Sequence, residues 1–342
     1  MSLQEIVPVG AAEYAAIEDR FAALLGTQQD LVVLQGEALL PLEAAARGLG
    51  RAGSTALNIV TSPYGATFGD WLRAGGSRVV DLVVPLDRAV SAEQVAEALE
   101  REPETSVVSL VHAEAGSGVV NPLRDIGALA KAFGALVVVD AVGSVGAEPL
   151  AIDDWDLDLV VLSAQKALAG PTGVSAAVVS DRAWAWLESN PSAPRQSLLS
   201  LLDWRERWLG AGRTVLPVIP HHVELRLLGE ALDRAEAEGL ASVIGRHRAV
   251  ADEARRGIEA LGLEPWVEDA AQTAGIATTV RVPPETSVAH VVDSLDVDPP
   301  WLVAAAPFAP AESLRINHTG LRATSGDVER ALAALAAALQ DP

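Results

Sequence analysis

Seven short, Val/Leu/Ile-rich runs constrain this chain most. They are 31–34 (LVVL), 56–60 (ALNIV), 79–84 (VVDLVV), 106–111 (SVVSLV), 135–139 (ALVVV), 158–162 (DLVVL) and 174–179 (VSAAVV). Their length and lack of polar alternation fit strands buried on both faces. Helical spacing fills the gaps. Residues 91–100 open with Ser91 and Gln94 at capping-box spacing, and in 122–133 Leu123, Ile126, Ala130 and Phe133 share one face. Buried strands alternating with helices predict an α/β fold, a mostly parallel sheet with helices on both faces. This regime runs from about residue 20 to 225. Residues 223–261 then read as one long Ala/Glu/Arg-rich helix. Strands near 275–282 and 313–317 and a helix at 325–340 follow, with the Pro-rich stretches 283–284 and 299–300 in loops. The expected organisation is a large domain over 15–225, a small C-terminal α+β domain over 226–342, and an N-terminal lead over 1–14.

Composition narrows the chemistry. A chain of 342 residues can bury a sizeable core. Its 46 acidic against 25 basic residues give a formal charge of −21, which argues against nucleic acid or an anionic membrane as partner. The opening MSLQEIVPVG has no basic stretch followed by an apolar core, and the apolar runs are too short to span a bilayer. A cytoplasmic location is expected. Cysteine is absent, so disulfides, thiolate nucleophiles and zinc–cysteine sites are excluded. Only Lys131 and Lys166 are lysines. Chemistry that needs a side-chain amine able to lose its proton has two candidates.

The stretch 140–173 brings the second lysine into play. Asp140 directly follows the apolar run ALVVV, and Ser163, Gln165 and Lys166 follow the next strand, in DLDLVVLSAQKALAGPTG. In an open parallel sheet, ligands sit beyond the carboxyl ends of strands, so Asp140 and Lys166 both project toward such a crevice. Lys131 instead sits on the polar side of an amphipathic helix and reads as a surface charge. A carboxylate and a lysine at one crevice suit pyridoxal 5′-phosphate. The lysine forms a Schiff base with the aldehyde, and the carboxylate keeps the pyridine nitrogen protonated. A free lysine titrates at about 10.4, so desolvation must lower it before it serves as a base near neutrality.

The segment VVVDAVGSVGAEPLAIDDWDLDLVVLSAQKALAGPTGVSAAVVS resembles the class V aminotransferases of pyridoxal-phosphate fold type I, nearest the alanine–glyoxylate and serine–glyoxylate group. A weaker likeness extends over about residues 14–340. The resemblance implies that Lys166 is the Schiff-base lysine and Asp140 the partner of the ring nitrogen. It implies that Gln165 contacts the phosphate or ring oxygen and that Tyr64, before Gly65, stacks on the ring, with Phe68 as the other aromatic candidate. The phosphate is expected on the turn Gly36-Glu37-Ala38, where a strand gives way to a helix N-terminus. Glu37 departs from the family's small, hydroxylated loop there. In VHAEAGSGVVNP, His112 and Glu114 align with the family. The position that supplies a hydroxyl to the ring oxygen is Ala115, leaving Ser117 as the substitute. Arg213 and Thr214, in GAGRTVLPVIP, are expected to reach across a homodimer interface to the neighbour's phosphate. Arg315, in SLRINHTG, is expected to hold the substrate carboxylate.

Other motifs carry less. Gly48, Gly50 and Gly53 fit G-x-G-x-x-G but end a helix before a strand, the reverse of a dinucleotide fingerprint. His221, His222 and Glu224 lack metal-ligand spacing, and no metal is expected. The tryptophans, including Trp184, Trp186, Trp204 and Trp208, are core or interface candidates. The function expected is a pyridoxal-phosphate aminotransferase passing an amino group from a small amino acid (alanine or serine type) to a small 2-oxo acid (glyoxylate or pyruvate type). Two alternatives stand beside it: a lyase performing aldol cleavage or elimination on the same scaffold, and a non-catalytic binding protein, suggested by the departures at Glu37, Ala115 and Gly212.

Overall fold

The structure, a computed structural model, describes residues 7–284, 286–305 and 313–339. The seven apolar runs become β1 (Asp30–Leu34), β2 (Thr55–Val60), β3 (Arg78–Val83), β4 (Thr105–Val111), β5 (Leu136–Asp140), β6 (Leu159–Leu162) and β7 (Ser175–Val179). They form one sheet in the order β1-β7-β6-β5-β4-β2-β3. Strands β3, β2, β4, β5 and β6 pair in parallel. Only β7 runs against its neighbours, so β1 points the same way as the parallel set. The fold is the α/β class expected. Interior strands are buried along their length, while edge strand β3 is half exposed, as an unpaired flank permits.

Helices α1 (Ala11–Leu25), α2 (Leu39–Leu49), α3 (Pro63–Ala74), α4 (Ala92–Arg101), α5 (Leu123–Ala132), α6 (Asp181–Ser189) and the single turn α7 (Leu201–Trp204) accompany this sheet. The capping box before α4 forms in both directions. Ser91 Oγ accepts from Gln94 N at 3.2 Å, and Gln94 Oε1 accepts from Ser91 N at 2.9 Å. The glycine run after α2 is the stop expected of it, with Gly53 at φ 81° leading into β2.

The stretch 223–261 requires correction. It is two helices, α8 (His222–Glu238) and α9 (Leu240–Ala260), broken at Gly239, whose φ of 82° favours glycine. The break lets α8 bury Leu225, Leu228 and Leu232 against the large sheet's core. Helix α9 passes from that core at Val243 into a second one at Val250, Ala254 and Ile258. The second core lies under a small antiparallel sheet, β8 (Thr278–Arg281), β9 (Val303–Ala305) and β10 (Ser313–Ile316), ordered β8-β10-β9, with α10 (Val288–Ser294) and α11 (Ser325–Ala338). Sequence patterning missed β9, because three residues are too few to display a period.

Candidate active site

The parallel strands deliver their following residues to one edge of the sheet. Glu37 comes three residues after β1, Tyr64 four after β2, Glu114 three after β4, and Lys166 four after β6, while Asp140 ends β5. These five, with Ala38, Ala115 and Gln165, line one cavity of about 190 Å³. Its place beyond the strand carboxyl ends is where ligands bind in open α/β sheets.

Asp140 is fixed by its own loop: Oδ1 accepts from Val142 N at 2.9 Å. Burial pushes its carboxyl above the usual range, and Lys166 works in the opposite direction. Burial likewise pulls the Lys166 ammonium below the ordinary lysine value, against the attraction of Asp140 and Glu114. The lysine is held by a tight turn in which Ala169 N donates to Lys166 O at 3.0 Å and Gly170 N to Ala164 O at 2.7 Å. Gly320, at φ 63°, packs behind it. A Cβ there would lie 2.9 Å from Lys166 O.

Arg315 enters from β10. Its Nη1 donates to Ala115 O at 2.8 Å, and its buried Nε has no hydrogen-bond partner. Lys166 and Tyr64 both sense its charge. Tyr64 stands in the first turn of α3, 42% exposed at the cavity wall. Gln165 Nε2 donates to Glu37 Oε1 at 3.0 Å, and Glu37 Oε2 accepts from Leu39 N at 2.8 Å. The Glu37 carboxylate therefore takes the first amide of α2.

Of the residues expected around this cavity, Gly36 and Ser117 are not in its wall, and Arg315 lies outside the wall and meets it at Ala115, while Arg213 and Thr214, expected at a neighbour's phosphate, make contacts elsewhere in their own chain. Arg213 is drawn to α1, where it pairs with Asp19 at 2.7 Å and with buried Glu18 at 3.1 Å. A carboxylate buried as deeply as Glu18 needs a counter-charge, and the arginine supplies it. Thr214 donates to Ala211 O at 3.3 Å, and Ser117, though buried, is no part of the cavity wall. Sequence reasoning recognised Glu114 as part of a motif but gave it no role. It lies 2% exposed in the wall, and its position after β4 matches those of the other site residues after their strands. The tryptophans are largely core: Trp184 and Trp208 are fully buried, and Trp204 nearly so. His222 accepts from Val9 N at 3.0 Å, and Glu224 from Gly173 N at 2.9 Å.

Comparison with known proteins decides the family. A match to the aminotransferase class-V family covers residues 10–296. The chain belongs to the class-V aminotransferases. It is 36% identical over 270 residues to pyridoxamine–pyruvate transaminase of Mesorhizobium japonicum, covering 79% of this chain and 68% of that one. The structure of pyridoxamine–pyruvate aminotransferase from Mesorhizobium loti superposes with a TM-score of 0.91 at 31% identity, covering 99% of this chain and 86% of that one. An alanine–glyoxylate aminotransferase from Nostoc sp. gives 0.88 at 25% identity, covering 98% and 90%.

Pyridoxal 5′-phosphate is the cofactor of this class. The ring end of such a group fits this class-V aminotransferase. Lys166 is a desolvated amine, Asp140 an anchored carboxylate, and Gln165 Oε1 and Arg315 Nε are buried polar atoms still open to a ligand. The phosphate end does not fit in the same way. At the N-terminus of α2, where the helix dipole and free amides favour an anion, the Glu37 carboxylate already sits.

Proposed function

We propose that this aminotransferase moves an amino group between a small amino acid of the alanine or serine type and a small 2-oxo acid of the pyruvate or glyoxylate type. The observation that carries the reading is the convergence of Lys166 and Asp140 on one cavity, with Arg315 brought in from the small sheet. When bound, the pyridine ring supplies an electron sink and carries the amino group between the two half-reactions. Lys166 supplies the amine that receives the ring aldehyde and afterwards shuttles a proton. Asp140 holds the ring nitrogen's proton. Arg315 orients the substrate carboxylate through its planar guanidinium. Tyr64 covers the ring.

Glu37 favours a narrower version of the same half-reaction. A phosphate dianion at the N-terminus of α2 would face a carboxylate already hydrogen-bonded to Leu39 N and Gln165. An unphosphorylated ring compound avoids that repulsion. The relatives named for pyridoxamine and pyruvate support the same reading. Pyridoxamine is then the amino donor and pyruvate the acceptor, giving pyridoxal and alanine. The test is to supply pyruvate with either pyridoxamine or its 5′-phosphate and measure alanine. Alanine formed at least as fast from the phosphate overturns the narrower version, and no alanine from either donor together with no glycine from serine or alanine plus glyoxylate overturns the wider one. A cytoplasmic homodimer completes the proposal. The exposed apolar side chains Val215, Ile219, Val223 and Leu227 support a partner-facing surface.

A further inference from the structure

One buried acid in the cavity has no part in the chemistry above. Glu114 is 2% exposed and shares the cavity wall with Lys166 and Asp140. Its setting is built. Asn121 Nδ2 donates to Val111 O at 2.8 Å and to Thr61 Oγ1 at 3.0 Å, and Asn121 Oδ1 accepts from Val90 N at 3.1 Å. Thr61 then directs its hydroxyl hydrogen to Glu114 Oε1 at 2.7 Å. Oε1 thus acts as an acceptor, which leaves Oε2 as the oxygen able to carry a proton.

The other two acids beside Lys166 are committed elsewhere. Asp140 accepts from Val142 N and serves the ring nitrogen, while Glu37 caps α2 and holds Gln165. We propose that Glu114 is the proton store of the site, taking the proton that the Lys166 ammonium gives up when it becomes a free amine and returning it later. The exchange balances: the Nζ–H bond breaks, an Oε2–H bond forms, and no further reactant is needed. A cavity of about 190 Å³ has room for the waters that pass the proton. This role rests on the aminotransferase reading. It makes Glu114 a positioning residue that acts through Lys166.

The electrostatics agree. Burial first, and the neighbouring Asp140 carboxylate as well, push Glu114 up to about 7, against hydrogen bonding from Thr61 and Ser62 and the charge of Lys166. Lys166 feels Asp140, Glu114 and Glu37 on one side of the balance and Arg315 on the other, and Tyr64 feels Glu114. Two groups coupled in this way titrate as a pair, and each reports the other's protonation.

Having two lysines makes the pair directly observable. The full chain is prepared with 13Cε-labelled lysine, freed of any ring aldehyde, and its two signals are followed by NMR against pH. Lys131, paired with Asp156 at the surface, is the internal reference. The Lys166 signal should show an inflection near pH 7 in addition to its own. Glu114→Gln retains an oxygen for Thr61 to donate to but cannot ionise. It should abolish that inflection, shift Lys166's own midpoint downward and leave Lys131 unchanged. Thr61→Val, which removes one donor that favours the carboxylate, should move the inflection to higher pH, and it decides the matter if Glu114→Gln does not fold. A Lys166 titration with no second inflection, or one untouched by both variants, overturns the proposal. Failure of the aminotransferase reading is separate, because it shows as no covalent attachment of pyridoxal to Lys166.

Discussion

Lys166 and Lys131 are the same residue type in opposite settings. Lys131 pairs with Asp156 on the surface, its side chain 53% exposed, and Lys166 is desolvated among carboxylates. Lys166→Arg should abolish covalent attachment of a ring aldehyde, because a guanidinium stays protonated. Lys131→Arg should leave it within about twofold, since exposed ion pairs contribute only about 0–1 kcal/mol; absorbance on adding pyridoxal reads both. Glu37→Gly removes the carboxylate from the N-terminus of α2. It should improve binding of phosphorylated over unphosphorylated ring compounds by about tenfold or more, as loss of one like-charge contact of roughly 1.4 kcal/mol or more implies; equilibrium dialysis with both compounds measures the ratio. At this scale the sequence revealed whatever depends on a strand's end. Asp140, Lys166, Tyr64 and Glu37 follow apolar runs, so their neighbourhood could be read from spacing. The pairing of Arg213 with Glu18 could not, because it joins residues 195 apart and depends on how α1 packs.

Packing between elements carries the site from the large sheet to the small one. His247 on α9 is the link. Its Nδ1 donates to Val243 O at 2.8 Å, so its Nε2 is the acceptor for Gly320 N at 3.1 Å, and Gly320 backs the Lys166 turn. This arrangement needs a neutral imidazole, and burial lowers His247 to about 4. A histidine depressed in the folded state contributes stability that is present above its unfolded value near 6.5 and lost as pH falls toward 4. Between about pH 7 and pH 5 the stability of the native protein should fall by about 2 kcal/mol more than that of His247→Gln, as judged by urea unfolding. Equal pH dependence in the two proteins would refute the neutral-acceptor role. Gly320→Ala should cost about 1 kcal/mol or more through its positive φ alone. Its Cβ would also press on Lys166 O, so attachment of pyridoxal should weaken further than stability does. Strand alternation and the α4 capping box were legible because they are local. The break at Gly239 was not, since a glycine within an Ala/Glu/Arg-rich run becomes a break only when the two halves face different cores.

The whole molecule places a cofactor-class cavity at the sheet's carboxyl edge, with an arginine delivered from a second core. The exposed apolar strip around Val215 and Ile219 predicts a partner of the same chain. Light scattering should give twice the 35.6 kDa of one chain, and a mass of one chain contradicts a homodimer. The acidic excess, legible from composition, fits a small-molecule enzyme, while the delivery of Arg315 from β10 depends on a tertiary approach that no local pattern encodes. The central claim is that Lys166 is the amine that receives the ring aldehyde. Its most direct test is to add pyridoxal, reduce with borohydride and map the peptides by mass spectrometry. The account predicts a pyridoxyl group on Lys166 and none on Lys131. A label on Lys131 alone, or on neither lysine, would contradict it.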